Sequence, residues 1–275
     1  MTPSNQPIGL DLSDSEIAEI MEVGHALADA ARDASLPHFR NPDLAADNKD
    51  ADGFDPVTRA DREAESAMRA ILAERRPRDG VLGEEHADTP SRSGLTWVLD
   101  PIDGTRGFIS GTPTWGVLIA LQDDTGPRYG IIDQPYIGER FEGGFGVARL
   151  EGPRGAQDLA TRTTGQLAEA VLFTTFPEVG TAADRAGFEA VRDCVKLTRY
   201  GMDCYAYALL AAGQIDLVVE AGLHSYDIAG PIAVIKAAGG VVSDWQGGPA
   251  HDGGRVLAAA NEQLHAQALA ILSKA

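Results

Sequence analysis

Two carboxylates and a hydroxyl crowd one short segment of this chain. Asp100 ends an apolar run, and Asp103 and Thr105 follow it within the sequence WVLDPIDGTR, residues 97–106. Asp103 or Thr105 could simply cap the next helix, as these residue types often do. A cap does not explain Asp100, because an unpaired carboxylate at the end of an apolar strand is costly. The segment therefore predicts a cation site at a bend between a strand and a helix.

Acids elsewhere in the chain are candidates for the same site. Glu84 follows a short apolar segment, Asp61 comes three residues after Thr58 at the expected start of a helix, and Asp227 stands where another helix begins. Helix capping is the alternative interpretation of Asp61 and Asp227. A solvated turn is the alternative for Glu84. Their chemical meaning depends on proximity to Asp100.

All of these side chains offer hard oxygen ligands. Oxygen-only sites suit Mg²⁺, with Mn²⁺ as a substitute, and they do not suit zinc. Two such ions about 4 Å apart can hold a phosphoryl oxygen, lower the pKa of a bound water and stabilise the leaving alkoxide. Free amides at the start of the helix near Asp103 would meet the phosphate. The pattern favours metal-assisted hydrolysis of a phosphomonoester.

Other phosphatase chemistries need spacings that the sequence lacks. An aspartyl-phosphate enzyme would place its two acids closer together than Asp100 and Asp103. A cysteine phosphatase needs a longer spacing between its Cys and its Arg than the one from Cys194 to Arg199. The chain contains no Gly-Lys pair and no Gly-x-Ser-x-Gly segment, which excludes a P-loop hydrolase and a nucleophile elbow. A metal-activated water remains.

The composition is that of an acidic globular protein. The chain has 275 residues, 44% of them hydrophobic, which allows a sizeable buried core. Its formal net charge of -18 argues against nucleic acid or an anionic membrane surface as a partner. No apolar run approaches the ~20 residues that span a bilayer. A small phosphorylated substrate would therefore need an arginine or a bound cation.

Cysteine usage and the N-terminus bear on location. Cys194 and Cys204 are too few for a disulfide scaffold and badly spaced for a zinc site. Residues 1–10 are polar and lack the pattern of a signal peptide. We expect reduced thiols and a cytoplasmic location.

Hydrophobic periodicity divides the chain into two halves. Two amphipathic helices in the first half precede strands that form an antiparallel meander. In the second half strands and helices alternate, and Asp227 starts a helix that has Pro231 in its first turn. We predict a layered α/β (α+β) fold. Residues 1–150 would form an N-terminal half with most of the acidic candidates, and residues 151–275 a C-terminal half that supplies Asp227.

Three separated motifs together resemble those of the inositol monophosphatase superfamily. They are GEE at residues 83–85, DPIDGT at 100–105, and YDIA at 226–229 with AGG at 238–240. The segments TRGFISG at 105–111 and YGMDCYAY at 200–207 are similar to the histidinol-phosphate phosphatase branch. The resemblance implies a Mg²⁺-dependent, lithium-sensitive phosphatase, a layered α/β/α/β/α sandwich and a homodimer.

The resemblance also implies the metal ligands. Glu84, Asp100 and the carbonyl of Ile102 would bind a first ion. Asp100, Asp103 and Asp227 would bind a second. Glu84 would share a third, weaker ion.

The same resemblance assigns the rest of the bend to catalysis and phosphate binding. Thr105, with Glu84, would orient the attacking water, and Asp61 would hydrogen-bond Thr105. The amides of Gly104 and Thr105 would contact the phosphate, and Arg106 would be a further substrate-binding residue.

The sequence indicates less clearly which residues contact the organic half of the substrate. Tyr226 stands where the family often has Trp, and Met202 where a small residue is usual. Glu220 matches the position that touches the organic half, with Asp203 and Asp227 beside it. An acid there suits a cationic leaving group such as the ammonium of histidinol phosphate, and it would equally accept hydroxyls of inositol or a sugar. Helix capping is an equal alternative for Asp203.

Three functions therefore stay open. The first is a Mg²⁺-dependent histidinol-phosphate phosphatase in histidine synthesis. The second is an inositol or broad sugar phosphatase that uses the same metals. The third is a non-catalytic metal-binding regulatory protein, which the intact set of acids and Thr105 disfavours. Kinetics on L-histidinol phosphate and inositol 1-phosphate, measured side by side, would distinguish the first two.

Overall fold

The computed structural model describes residues 10–44, 46–48 and 56–274. Most of the polar N-terminal segment considered for a signal peptide lies outside these residues. Within them, no helix is both long enough and apolar enough to cross a membrane. Cys194 is exposed and Cys204 is buried, and both are free thiols, as expected.

Local sequence signals explain where several helices begin. The helices are α1 (Asp14–Ser35), α2 (Arg59–Arg75), α3 (Thr105–Ser110), α4 (Ala182–Arg192), α5 (Tyr205–Ala211), α6 (Ser225–Ala237) and α7 (Glu262–Leu272). Ser13, Thr58 and Thr181 each form a capping box with an acid three residues further on. Both amphipathic helices predicted for the first half, α1 and α2, are confirmed.

Two large sheets carry the fold. The strands are β1 (Ala46–Asn48), β2 (Pro56–Thr58), β3 (Gly80–Gly83), β4 (Thr96–Asp103), β5 (Gly116–Asp123), β6 (Gly126–Gln134), β7 (Glu139–Gly144), β8 (Val147–Gly152), β9 (Gly155–Asp158), β10 (Val171–Thr174), β11 (Leu197–Tyr200), β12 (Leu217–Leu223), β13 (Val241–Ser243) and β14 (Gly254–Ala259). The first sheet has the order β3-β4-β5-β6-β7-β8-β9, and the second β11-β10-β12-β14-β13.

Strand direction differs between the sheets. In the first sheet β3 and β4 are parallel and every later pair is antiparallel, which confirms the predicted meander. In the second sheet β10 is parallel to β11 and β12, and β14 is antiparallel to β12 and β13. The first sheet continues past residue 150 in β8 and β9. The division of the chain into two halves at that residue stays a prediction.

The central strands of each large sheet are buried on both faces. On β5, Ile119 packs with residues of α1 and α2, whereas its neighbour Leu118 packs with residues of α5 and α6. On β12, Leu217 packs with α4 and α7, and Val218 with α5 and α6. Successive strand residues point to opposite faces, so α5 and α6 lie between the two sheets. The layers follow the order α/β/α/β/α, which confirms the predicted fold.

Helix α6 lies against the first sheet with its backbone close to the strands. A side chain at Gly130 or Gly143 would collide with the α6 backbone, so glycine at these positions permits the close approach. Pro231 lies inside α6 rather than in its first turn. That prediction was wrong because α6 begins at Ser225, before Asp227. Burial against the sheet retains the helix although proline supplies no N–H there.

Candidate active site

An irregularity in the last part of β4 brings Asp100 and Asp103 to one cavity. In a regular strand, side chains an odd number of positions apart point to opposite faces. The pairing of β4 with β5 shifts register between Asp100 and Asp103, and such an irregularity redirects side chains. Gly104 then adopts a φ of 81°, and α3 begins at Thr105. Both carboxylates consequently line the same cavity, whose volume is about 310 Å³.

Acids from separate elements form one part of the cavity lining, here called the acidic wall. Its members are Glu84, Asp100, Asp103 and Asp227. Glu84 directly follows β3, the parallel neighbour of β4, and Asp227 lies in the first turn of α6. One carboxylate oxygen from each of Asp100, Asp103 and Asp227 lies within 4.8 Å of the other two. Acids that are far apart in the sequence therefore meet in space.

Burial makes this cluster electrostatically unfavourable by itself. Asp100 is 1% exposed. Burial raises its pKa well above the ordinary value, and the charges of Glu84 and Asp103 raise it further. Burial, together with the charges of Asp203 and Asp227, raises the pKa of Asp103 in the same way. A divalent cation would relieve this repulsion, and the all-oxygen donor set fits a hard ion such as Mg²⁺ or Mn²⁺.

Thr105 lies between the bend and α2. Its hydroxyl oxygen is 3.1 Å from the carbonyl oxygen of Ile102 and 3.4 Å from Oδ1 of Asp61, so its one proton can be donated to either. Oδ2 of Asp61 accepts hydrogen bonds of 2.8 and 2.6 Å from the amide and the hydroxyl of Thr58. The capping interpretation of Asp61 is confirmed, and it coexists with the approach to Thr105.

Asp227 likewise combines a cap with a place in the cavity. Its Oδ2 accepts a hydrogen bond of 2.6 Å from the amide of His224, the residue before α6. The capping interpretation is therefore confirmed for Asp227 too. A carboxylate in the first turn of a helix is held by the helix itself, so the cap also restricts where the metal-facing oxygen can lie.

Six further lining residues, among them acidic, aromatic and basic side chains, are here called the mixed wall. Its members are Arg106, Thr175, Phe176, Asp203, Tyr207 and Glu220. Glu220, on β12, is 7% exposed. Burial raises its pKa to about 7, and its Oε1 accepts a hydrogen bond of 2.6 Å from the amide of Thr175. The guanidinium carbon of Arg106 lies 4.9 Å from the ring centroid of Phe176.

Asp203 reaches the cavity from the loop before α5. Its backbone is left-handed, with a φ of 46°, and its Oδ2 accepts a hydrogen bond of 3.2 Å from the hydroxyl of Thr114. The N-cap of α5 is Cys204, without a side-chain cap. The capping interpretation of Asp203 is therefore wrong, because its carboxylate is used by Thr114. The amide of Cys204 donates a hydrogen bond of 2.7 Å to Oδ1 of Asp103, which joins this loop to the acidic wall.

Sequence reasoning missed Glu65, which supports the loop that carries Glu84. Glu65 is fully buried on α2. Its Oε2 accepts a hydrogen bond of 2.7 Å from the amide of Glu85, and its Oε1 accepts one of 2.7 Å from Nε of Arg69. A side chain at Gly83 would collide with the same carboxylate. A charged residue on the buried stripe of an amphipathic helix was the signal that could have found it.

Phe176 and Tyr207 were missed as well. Phe176 follows β10, and Tyr207 lies in the apolar helix α5. Tyr207 ends the segment YGMDCYAY, but nothing in that segment assigns a role to this tyrosine, and no sequence signal pointed to Phe176. Only the arrangement of β10, α5 and β12 around the cavity reveals them.

Known proteins resemble this chain over most of its length. A model of the inositol monophosphatase family matches residues 16–275. The chloroplastic bifunctional phosphatase IMPL2 of Arabidopsis thaliana is 40% identical over 271 residues, which cover 94% of this chain and 76% of that protein. A histidinol-phosphatase of Mycobacterium tuberculosis is 34% identical over 251 residues, covering 90% and 95%. An inositol monophosphatase structure from Zymomonas mobilis superposes with a TM-score of 0.82 at 41% identity, covering 95% of this chain and 100% of that one.

The fold, the acidic cavity and these similarities define the class of protein. The chain belongs to the inositol monophosphatase family. Membership in this family and the names of the relatives indicate a phosphatase that acts on a small phosphorylated substrate. The resemblance found in the sequence motifs is thereby confirmed.

Proposed function

We propose that this protein is a Mg²⁺-dependent phosphatase that hydrolyses L-histidinol phosphate to L-histidinol and phosphate. The observation that carries the proposal is that Asp203 and Glu220 share one cavity with the acidic wall. Carboxylates suit a leaving group that bears an ammonium, since charge-assisted hydrogen bonds are strong. The similarity to a histidinol-phosphatase of Mycobacterium tuberculosis supports the same substrate.

Two or three Mg²⁺ ions, with Mn²⁺ as a substitute, would be held by the acidic wall. Glu84, Asp100 and the carbonyl of Ile102 would hold the first. Asp100, Asp103 and Asp227 would hold the second, and Glu84 would share a weaker third. Such ions polarise a phosphoryl group, generate a nucleophilic water and stabilise the leaving alkoxide. The raised pKa of the buried Asp100 is what a site built around a cation would show in its absence.

Thr105 and Glu84 would orient the attacking water. When the carbonyl of Ile102 is used as a ligand, Asp61 is the acceptor left for the proton of Thr105. The Thr105 oxygen would then accept a hydrogen bond from the water and so orient a lone pair of the water oxygen toward phosphorus. Asp61 would thus act through Thr105.

The phosphate would be bound beside the bend. The amides of Gly104 and Thr105 lie at the start of α3, where backbone N–H groups have no partner within the helix. Arg106 would add positive charge to a cavity whose lining includes six acids. Asp203, Glu220 and Asp227 would contact the organic half of the substrate.

Inositol 1-phosphate or another sugar phosphate is the second candidate substrate. Glu220 can also accept a hydrogen bond from a hydroxyl, and the Zymomonas mobilis relative is named an inositol monophosphatase. A non-catalytic, metal-binding regulatory role is disfavoured, because the acidic wall and Thr105 share one cavity.

A substrate panel tests the proposal. Phosphate release from L-histidinol phosphate, inositol 1-phosphate and sugar phosphates would be measured with Mg²⁺, with Mn²⁺ and with EDTA. We expect the highest kcat/KM with L-histidinol phosphate and no turnover with EDTA. A clear preference for inositol 1-phosphate would show that L-histidinol phosphate is not the main substrate. Turnover in EDTA would refute the metal mechanism.

A homodimer and a cytoplasmic location complete the proposal. The dimer rests on the family resemblance, and the location on the two free cysteines. We propose no nucleic-acid or membrane partner, given the net charge of -18. Sedimentation analysis and cell fractionation would test the two assignments separately.

A further inference from the structure

Tyr207 lines the cavity and carries a buried hydroxyl. The residue is 4% exposed, and its ring packs in the core between the two sheets. It also lines the cavity together with the acidic wall. Within residues 10–44, 46–48 and 56–274, no hydrogen-bond partner exists for its oxygen. A buried hydroxyl without a partner destabilises a folded protein, so a tyrosine here needs a reason that phenylalanine would not satisfy.

The hydroxyl of Tyr207 can act only as a neutral group. Burial raises its pKa well above the ordinary value, and the charge of Glu220 raises it further. The proton is therefore retained, and the group is a hydrogen-bond donor that still needs an acceptor. Glu220 keeps acceptor capacity beyond its bond from the amide of Thr175, because a carboxylate can accept about four hydrogen bonds.

We propose that the hydroxyl of Tyr207 donates a hydrogen bond to the leaving group of the substrate, beside the carboxylate of Glu220, which accepts one. This inference rests on the proposed phosphatase function and adds a residue that selects the substrate. The pair would recognise a leaving group that carries an acceptor and a donor close together. A neutral imidazole ring offers both on its two nitrogens, and a hydroxyl offers both on one oxygen. Tyr207 itself touches no reacting atom.

A neighbouring tyrosine provides the matched control. Tyr205 lies on the same helix, and its hydroxyl donates a hydrogen bond of 2.6 Å to Oε2 of Glu139. Tyr205 is not part of the cavity lining. Its hydroxyl is satisfied within the protein, whereas that of Tyr207 has no hydrogen-bond partner in the described part of the chain.

The experiment compares Tyr207→Phe with Tyr205→Phe on three substrates. L-histidinol phosphate and inositol 1-phosphate have polar leaving groups, and phenyl phosphate has an apolar one. For Tyr207→Phe we expect kcat/KM on the preferred polar substrate to fall about tenfold through KM, as for one lost hydrogen bond, with phenyl phosphate unchanged. The Tm of the ligand-free variant should equal or exceed that of the wild type. Tyr205→Phe should lower Tm and leave the substrate ratio unchanged.

Two results would overturn the role of Tyr207. One is an equal loss, or no loss, on all three substrates in Tyr207→Phe. The other is an equal rise in Tm when L-histidinol or myo-inositol is added to the wild type and to this variant.

The substrate proposal fails separately from the Tyr207 proposal. If the wild type prefers inositol 1-phosphate and Tyr207→Phe weakens that reaction selectively, histidinol phosphate is the wrong substrate and Tyr207 keeps its role. If the wild type prefers histidinol phosphate and Tyr207→Phe keeps the same preference without a selective loss, histidinol phosphate is the right substrate and Tyr207 does not select it. If neither polar substrate is hydrolysed, the shift in Tm with L-histidinol and myo-inositol still decides the role of Tyr207.

Discussion

The acidic wall and the mixed wall of the cavity differ in the residue types that form them and in the elements that supply those residues. The acidic wall uses one type of side chain, and Asp100 and Asp103 come from a single bend. The mixed wall draws Asp203, Tyr207 and Glu220 from a loop, a helix and a strand. A hard metal ion restricts its ligands to oxygen donors, whereas a leaving group can be held by many combinations of groups. The metal ligands are therefore recognisable from residue type and spacing, whereas the segment YGMDCYAY at 200–207 indicates a substrate without showing which of its side chains contact it.

The largest effect is expected when the acidic wall is broken. Asp100→Asn should lower kcat on every phosphomonoester by about a thousandfold, because metal stabilisation of the transition state is worth several kcal/mol. In EDTA the variant should be as stable as the wild type or more so, since it removes repulsion among buried acids. Steady-state kinetics in excess Mg²⁺ and thermal unfolding in EDTA check both parts. Wild-type turnover in Asp100→Asn would show that Asp100 is not a metal ligand.

The next largest effect is expected when Glu65, which supports the loop that carries Glu84, is changed. Glu65→Gln should lower activity at limiting Mg²⁺ by about 10–100-fold, as groups that orient metal ligands do. The concentration of Mg²⁺ for half-maximal rate should rise, while the ratio of rates on different substrates stays constant. Glu63→Gln, a more exposed carboxylate on the same helix, is the control. An altered substrate ratio would assign Glu65 to the mixed wall instead.

A change in the mixed wall should alter selection and spare chemistry. Glu220→Gln should raise KM for L-histidinol phosphate about tenfold, because a charge-assisted hydrogen bond is lost. The kinetics on phenyl phosphate should stay close to wild type. Equal losses on both substrates would erase the distinction between the two walls at this residue.

The same substitution should change how stability depends on pH. Burial raises the pKa of Glu220 from 4.5 to about 7, so the folded protein holds this proton more tightly than the unfolded chain. Wild-type stability is therefore lost as pH rises between these two values. Glu220→Gln removes that loss and should gain up to about 3 kcal/mol relative to wild type above neutral pH. Denaturant unfolding in EDTA at about pH 5 and about pH 8 measures the difference, and an equal difference at both would contradict the shifted pKa.

The smallest effect is expected at the rim, where Phe176 is 42% exposed. Phe176→Leu should raise KM about two- to fivefold, because a cation–π contact with Arg106 is worth about 0.5–1 kcal/mol at exposed sites. Since Arg106 is proposed to bind phosphate, all substrates should be affected alike. A change confined to L-histidinol phosphate, in the same panel, would place Phe176 against the leaving group.

Local signals predicted much of the fold. The capping boxes at Ser13 and Thr58 were readable because a cap involves residues three positions apart. The start of α6 was misplaced, since His224 is not a typical N-cap residue and Asp227 has the more familiar signal. The capping interpretation of Asp203 failed for a related reason. Thr114, the hydrogen-bond partner of Asp203, is distant in the sequence, so no local pattern predicts the contact.

The sequence by itself determined the acidic bend, the layered α/β pattern and the family. These depend on residue type and short spacing, which the chain states directly. Only the tertiary structure decided that Glu65 supports the loop carrying Glu84, and that Tyr207, a residue of the cavity lining, has a buried hydroxyl with no partner among the described residues. The physical reason is that packing of helices between and against two sheets brings together groups that are far apart along the chain. Whether a buried polar group finds a partner depends on that packing alone.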